Sequence, residues 1–260
     1  MLRRFAPILV VVLAVTAACQ GTPAIADPVE IITQGLDATA DLNSLHMSLA
    51  LDGSFTVPDG GGTFSLDATS LEADVDIAAK HAHVTFAVPA FLGLSGDIVV
   101  IGDDVWIKTS MTGTKWSHQT NDVLSSATPS PSVDIQEAID KVSEFLAKEG
   151  VVTTKLADVA CGDRQCYQVS VTVPSDLVAE ESANPIASID PATIFGDAVE
   201  LNLLFDREKL WLTEVSTSVE SDTVGSFSAT LSFSNFDEAV TVNPPPSAEV
   251  TEGEFTVPGM

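Results

Sequence analysis

The chain has 260 residues and a formal net charge of −26 at pH 7, because 37 acidic residues face only 11 basic ones. This balance excludes a nucleic-acid binder, which needs a basic surface, and argues against electrostatic docking on anionic lipid headgroups. Yet 45% of the residues are hydrophobic, which predicts a large core or an apolar cavity.

The first 18 residues have the three parts of a secretory signal peptide. Two arginines near the start precede an apolar run at residues 5–15, which is too short for a membrane span of about 20 residues. The order Ala17-Ala18-Cys19 resembles the lipobox of bacterial lipoproteins, although Thr16 stands where that pattern prefers an aliphatic residue. The resemblance implies that Cys19 is acylated and begins the mature chain. The alternative is an ordinary signal peptide cut near Ala18 or Ala26.

The rest of the chain is predicted to comprise a lipidated tether at residues 19–26, one domain at 27–246 and a flexible tail at 247–260. An amphipathic helix opens the domain, with Asp27 as N-cap, Pro28 in the first helical position and Glu30 completing a capping box. Its apolar stripe consists of Val29, Ile32, Leu36 and Ala40.

Most of the remaining sequence alternates between apolar and polar residues, which predicts about ten strands joined mainly by antiparallel hairpins. A phase shift near Thr69 indicates a bulge, and Gly102-Asp103-Asp104 predicts a hairpin turn. A second amphipathic helix is predicted from Ser132 to Gly150. The preceding segment, residues 125–132, is rich in Thr, Pro and Ser and is interpreted either as a mobile rim or as a solvated connector.

Cys161 and Cys166 are predicted to form a disulfide, because an even cysteine pair in an exported protein meets an oxidising compartment. Four turn-type residues separate them, so the bond would staple the tip of a hairpin. The alternative, a metal or redox pair, needs partner residues that the sequence does not show.

The alternating strands predict a curved sheet with one apolar face, which two helices would cover only in part. Such a face forms either a packed core or an apolar cavity. The candidate cavity residues are the inward-facing members of the strands and of the second helix: Leu49, Leu51, Phe64, Leu66, Val75, Phe86, Ile139, Val142, Phe145, Leu201, Leu203, Phe205, Phe227, Leu231 and Phe233.

No catalytic constellation and no cofactor motif is found, so the chain is predicted not to be an enzyme. His81 and His83 share one face of a predicted strand and could bind a metal together with a carboxylate, but solvent-facing histidines are the simpler interpretation, and no metal site is predicted. Three tryptophans are interpreted either as lining a ligand site or as core and rim residues. They are Trp106, Trp116 and Trp211.

Several segments, in this order, resemble the LppX/LprG-type lipoproteins of mycobacteria and related bacteria, whose fold is similar to that of LolA and LolB. These segments are the lipobox, the opening helix, the strand at residues 45–49, the hairpin at 98–106, the helix end at 148–150 and the closing stretch at 231–245. The most specific is the aromatic-Asp-Glu step Phe236-Asp237-Glu238 before a last β stretch and prolines. The cysteine pair and the acidic composition depart from that family.

The resemblance implies an α+β fold in which a strongly curved, mostly antiparallel half-barrel sheet carries two or more helices on its concave face. It also implies an envelope lipoprotein that binds lipids or acylated glycolipids in an apolar cavity and helps transfer them. Such a protein is anchored by lipid at the extracytoplasmic face of the cell membrane, with an envelope transporter as a candidate partner. The alternative is a surface or sensor lipoprotein with a solid core that acts through protein–protein contacts.

Overall fold

The computed structural model describes residues 24–57, 62–90, 92–111, 113–120, 135–181, 191–221 and 223–252. The predicted signal peptide, Cys19 and the segment at 125–132 lie outside these residues. Four helices are described, α1 (Pro28–Ala40), α2 (Ile135–Leu146), α3 (Ser175–Glu181) and α4 (Pro191–Phe195). None of the helices in the described residues combines the length and hydropathy that crossing a bilayer requires.

Fourteen strands in the described residues form one sheet. They are β1 (Ser44–Val57), β2 (Gly62–Ser65), β3 (Thr69–Asp76), β4 (His81–Val88), β5 (Leu94–Ile101), β6 (Asp104–Thr109), β7 (Trp116–Thr120), β8 (Val152–Lys155), β9 (Val159–Cys161), β10 (Arg164–Pro174), β11 (Ala198–Asp206), β12 (Leu212–Ser221), β13 (Gly225–Ser234) and β14 (Val250–Glu252).

The strand order is β14-β7-β6-β5-β4-β3-β1-β13-β12-β11-β10-β8, with β2 paired to β1 and β9 paired to β10. Every described pairing is antiparallel except that of β14 with β7. The large, open and curved sheet with few helices confirms the predicted α+β half-barrel fold. The alternation of apolar and polar residues explains why these segments form strands with one apolar face. In β13, serine and threonine alternate with the apolar residues Phe227, Ala229, Leu231 and Phe233.

Asp27 caps helix α1 as predicted, because its carboxylate accepts hydrogen bonds from the backbone N–H groups of Val29 and Glu30. The Glu30 carboxylate accepts a hydrogen bond from the Gln34 amide at 2.9 Å instead of completing the predicted capping box.

The buried face of α1 matches the predicted stripe only in part. Ile32 is buried and Leu36 packs against the core, but Val29 is exposed, and Ile31 and Gly35 are buried as well. The helix therefore lies rotated from its predicted orientation about its axis, because Gly35 allows the backbone to approach the sheet closely.

The core lies under one half of the sheet. Helix α1 packs on β10, β11 and β12, where Ile31 and Ile32 join Val169, Val171 and Phe205 in one buried cluster. The side chains of helix α2 that pack against this cluster include Phe145. The Thr39 hydroxyl links α1 to β12, because it accepts a hydrogen bond from the Leu212 backbone N–H at 2.9 Å.

Two predictions are corrected. The bulge predicted near Thr69 is a turn, in which the Thr69 N–H donates to the Leu66 carbonyl oxygen at 3.0 Å, and this turn separates β2 from β3. The predicted tail began at residue 247, yet Val250–Glu252 forms β14 and pairs with Trp116–His118. The ordered chain therefore continues beyond the predicted domain end, while residues 253–260 lie outside the described part.

Gly35→Ala is expected to lower the free energy of unfolding by about 1–3 kcal/mol, the usual cost of overpacking. A Cβ at this position would lie 2.3 Å from the Phe205 ring and 3.0 Å from the Leu210 carbonyl oxygen. Urea unfolding followed by circular dichroism measures the change. Asp37→Ala, on the exposed side of the same helix, is the control. A Gly35→Ala protein at least as stable as the wild type would contradict this packing.

Candidate functional site

Apolar side chains lie in continuous rows across the sheet, because residues opposite each other in antiparallel strands point to the same face. One row crosses seven strands through successive register pairs: Val169, Leu203, Val215, Leu231, Leu49, Leu71 and Phe86. A second row runs from Phe233 through Met47, Ala73, Val84 and Ile98 to Ile107. The apolar face therefore extends far beyond the strands that α1 covers.

Burial changes along this face. Val169, at the β10 end of the first row, is fully buried beneath the helices, whereas Leu49, Leu71 and Phe86 are only half-buried. The Phe86 ring lies against Gly96 on β5, where a Cβ would come within 2.9 Å of it. One half of the apolar face is thus packed core, and the half formed by β1, β3, β4 and β5 is partly uncovered.

The predicted cavity residues divide between these two halves. Phe205 and Ile139 are buried, and Phe145, Leu201, Leu203 and Phe233 pack against the buried cluster or are part-buried beside it. Phe64 and Val142 are exposed, at 40% and 37%. The remaining predicted residues are half-buried: Leu49, Leu51, Leu66, Val75, Phe86, Phe227 and Leu231.

The prediction also missed residues that the register places on the face, among them Met47, Leu71 and Ile107. Their alternation was visible in the sequence, but which neighbours they would meet depends on strand pairing. Phe64 of β2 is the register partner of Phe55 in β1, and this pair lies beyond the end of the two apolar rows. Its exposure shows that it is not enclosed by the face.

The three tryptophans lie away from the apolar rows. Trp106 stacks on His118 with ring centroids 4.9 Å apart. The two residues are register partners next to the inward-facing Ile107, so both side chains lie on the outer side of the sheet. Trp116 is buried beside the Lys108 ammonium group. Trp211 lines an open cleft of about 970 Å³ together with Phe236. Trp116 therefore fits the interpretation as a core residue, whereas Trp211 lines a cleft away from the apolar rows.

The Cys161–Cys166 disulfide is present, with the Cα atoms 5.9 Å apart. It staples the β9–β10 hairpin, whose two-residue turn is Gly162-Asp163. This hairpin borders the cleft lined by Trp211 and an adjacent cleft of about 550 Å³. The residues that line the adjacent cleft include Leu204 and Glu214. These two are register partners next to the inward-facing pair Leu203 and Val215, so they lie on the outer side of the sheet, where the cleft opens.

The outer side of the sheet carries the histidines. His46 lies between two carboxylates of β3, with Nδ1 2.8 Å from Asp74 Oδ1 and Nε2 2.9 Å from Glu72 Oε2. Both ring nitrogens can donate only when the imidazole is protonated. The hydrogen bond to Asp74 and, less strongly, that to Glu72 therefore raise the pKa of His46 above its ordinary 6.5, although partial burial opposes them.

His81 and His83 do share one face of β4, as predicted. His83 Nε2 lies 3.5 Å from the Asp97 carboxylate, and His81 stands opposite Asp76 in the register. Within the described ranges, no three His, Cys, Asp or Glu side chains are grouped so that they could hold a metal ion. The arrangement on this strand fits solvent-facing histidines beside acidic partners.

Comparison with solved structures identifies the fold class. The lipoprotein LppX of Mycobacterium tuberculosis superposes with a TM-score of 0.51 at 20% identity, over 83% of this chain and 97% of LppX. LprF from Mycobacterium bovis gives a TM-score of 0.50 at 16% identity, over 84% of this chain and 96% of LprF. No protein-family model matches the chain, and no curated protein matches it.

The chain thus has an LppX/LprG-type fold, as the sequence resemblance implied. Identities of 20% or less establish the fold alone, so function must be argued from this chain's own residues.

His46→Gln is expected to destabilise the protein more at about pH 6 than at about pH 8.5. A raised pKa in the folded state adds stability below the unfolded value of 6.5, and this stability is lost as the pH rises through the folded pKa. The urea midpoints of wild type and variant, compared at both pH values, provide the measurement. An equal difference at the two values would contradict the proposed hydrogen bonding.

Proposed function

We propose that this protein is an exported envelope lipoprotein that holds the acyl chains of lipids or acylated glycolipids against its apolar face and helps transfer them. The observation that carries the proposal is the apolar row across seven strands, of which the helices in the described residues cover only one half. A continuous row of partly exposed apolar side chains is costly in water unless a ligand or partner covers it.

The driving force would be desolvation, since no bond is made or broken. Each CH₂ group that leaves water contributes about 0.8 kcal/mol, so an acyl chain along one row gains several kcal/mol. Leu49, Leu71 and Phe86 form the central contact, because they are neighbours in the register and half-buried. Transfer requires that the bilayer and the protein hold the lipid with similar free energy.

One end of the face supports contact with a bilayer during transfer. The β4–β5 and β6–β7 turns are adjacent there, because the Ser110 N–H donates to the Ser95 carbonyl oxygen. Leu92 is 93% exposed and Met111 is also exposed. Residues 88–96 and 109–114 contain no charged side chain, although the chain is strongly acidic. These turns could approach lipid without the charge repulsion that the rest of the surface would meet.

Leu71→Asn is expected to weaken binding of a fluorescent long-chain fatty acid roughly five- to tenfold, since part of the apolar contact is lost. Fluorescence titration measures the dissociation constant. Leu156→Asn is the control, because Leu156 is an exposed leucine that stands opposite Gln168 on the outer side of the sheet. Equal affinity of both variants would place the ligand elsewhere. Failure of the wild type to bind any lipid would favour a role in protein–protein contacts.

The lipid anchor is proposed from the sequence, because Cys19 follows an apolar run and small residues. Cys19→Ser is expected to abolish incorporation of labelled palmitate and to move the protein from the detergent phase to the aqueous phase on Triton X-114 partitioning. Mass spectrometry of the mature N-terminus distinguishes the alternatives. A mature chain that starts after Ala26 would contradict the anchor.

A further inference from the structure

Basic side chains are concentrated in the open cleft beside the disulfide. The whole sequence has four arginines, and the two that follow the predicted signal peptide, Arg164 and Arg207, both line this cleft. Lys209 lines it as well. The cleft has a volume of about 970 Å³, enough for a small polar ligand. The lining also contains Asp163, Asp206 and Glu208, so the cleft is far less acidic than the chain as a whole, whose net charge is −26.

Arg164 is held in place from two sides. It lies on β10 beside the hairpin that the Cys161–Cys166 disulfide staples. Its Nη1 donates a hydrogen bond of 3.3 Å to the carboxylate of Asp206, which is only 2% exposed. The guanidinium carbon lies 5.8 Å from the Trp211 ring centroid. These contacts fix the guanidinium group without using most of its five N–H donors.

The neighbouring β11–β12 turn is fixed by the same buried carboxylate. The other oxygen of Asp206 accepts the backbone N–H groups of Glu208 and Lys209, at 2.8 and 2.7 Å. The Arg207 N–H donates to the Gln165 carbonyl oxygen at 3.0 Å, which joins this turn to β10. Two rigid hairpins therefore present Arg164 and Lys209 from adjacent positions. The Arg207 guanidinium lies 5.4 Å from the Tyr167 ring and 3.2 Å from Asp158, two residues outside the cleft lining.

In the described residues, carboxylates pair with Arg207 and with one nitrogen of Arg164 but not with Lys209. The Asp206 oxygens are occupied by the turn and by Arg164. Asp158 binds both Lys155 and Arg207, and Asp163 and Glu208 are exposed carboxylates of the lining. Within the described part of the chain, the Lys209 ammonium group contacts the Trp211 ring at 5.8 Å and has no carboxylate partner.

We propose that this cleft binds the phosphate group of a phosphate ester. The remaining N–H donors of Arg164 and the ammonium group of Lys209 meet the phosphate oxygens, for which a guanidinium group is well suited. Trp211 and Phe236, whose ring centroids are 4.9 Å apart, contact the organic part of the ligand. The preformed hairpins reduce the ordering cost of binding. The site is separate from the apolar face and does not depend on the proposed lipid function.

Two sources could supply such a group, the headgroup of a phospholipid and a soluble sugar phosphate. The test uses the mature chain with Cys19→Ser and two probes, glucose 1-phosphate and monomeric dihexanoyl phosphatidylglycerol. Two-dimensional NMR follows the indole N–H signals, and Trp211→Phe assigns the relevant one. We expect a saturable shift of the Trp211 signal that weakens with added salt. Binding of only one probe identifies the source, and either result supports the site.

The decisive variant is Lys209→Gln, because Lys209 holds no buried carboxylate and its replacement leaves the Arg164–Asp206 pair intact. It is expected to raise the dissociation constant about fivefold, as for the loss of one solvent-screened charged hydrogen bond. Lys148→Gln is the matched control, since that ammonium group lies 5.7 Å from the Phe145 ring, outside the cleft. The absence of a saturable shift at millimolar probe, or equal effects of the two variants, would overturn the proposal.

Discussion

The register of the antiparallel pairs on both sides of β1 is the constraint on which the structure depends. Leu49 meets Leu231 of β13 on one side and Leu71 of β3 on the other. Because side chains alternate between faces, a shift of one residue in either pair would turn one half of the apolar rows toward the polar side. The resulting face would be interrupted at β1, and no acyl chain could lie across it.

The closing segment helps fix this register. The Asn43 N–H donates to the Asp237 carboxylate at 2.8 Å, and the Asp237 N–H donates to the Ser44 carbonyl oxygen at 3.0 Å. The Ser44 hydroxyl donates to the Glu238 carbonyl oxygen at 2.6 Å. These bonds join the end of β13 to the start of β1, so the aromatic-Asp-Glu step has a structural role. They also begin the crossing that brings β14 to β7 at the far edge of the sheet.

Local patterns predicted much of this fold. The cap at Asp27 and the β5–β6 turn at Gly102-Asp103 are determined by nearby residues, and the structure shows both. The orientation of α1 was not predictable, because it depends on the close approach of Gly35 to Phe205, which is 170 positions away in sequence. The short parallel pairing of β14 has no local signal either.

The same distinction applies to the candidate sites. Alternation indicated which side chains share the apolar face, but only the packing of α1 and α2 decides which of them become core, as for Phe205, and which remain half-buried, as for Leu49. The cleft with Arg164 and Arg207 could not be predicted, because two hairpins and the buried Asp206 bring these residues together. The apolar face thus follows from sequence periodicity, whereas its coverage and the cleft follow from tertiary contacts.

The central claim is that the partly uncovered face holds lipid. Native mass spectrometry of the chain from Gln20 onward, purified without detergent, tests it most directly when the organic extract is analysed in parallel. The account predicts discrete, stoichiometric added masses that disappear on denaturation and reappear as acyl lipids in the extract. A clean ligand-free mass that stays unchanged after incubation with envelope lipids would contradict the account and would favour a protein-binding role for this face.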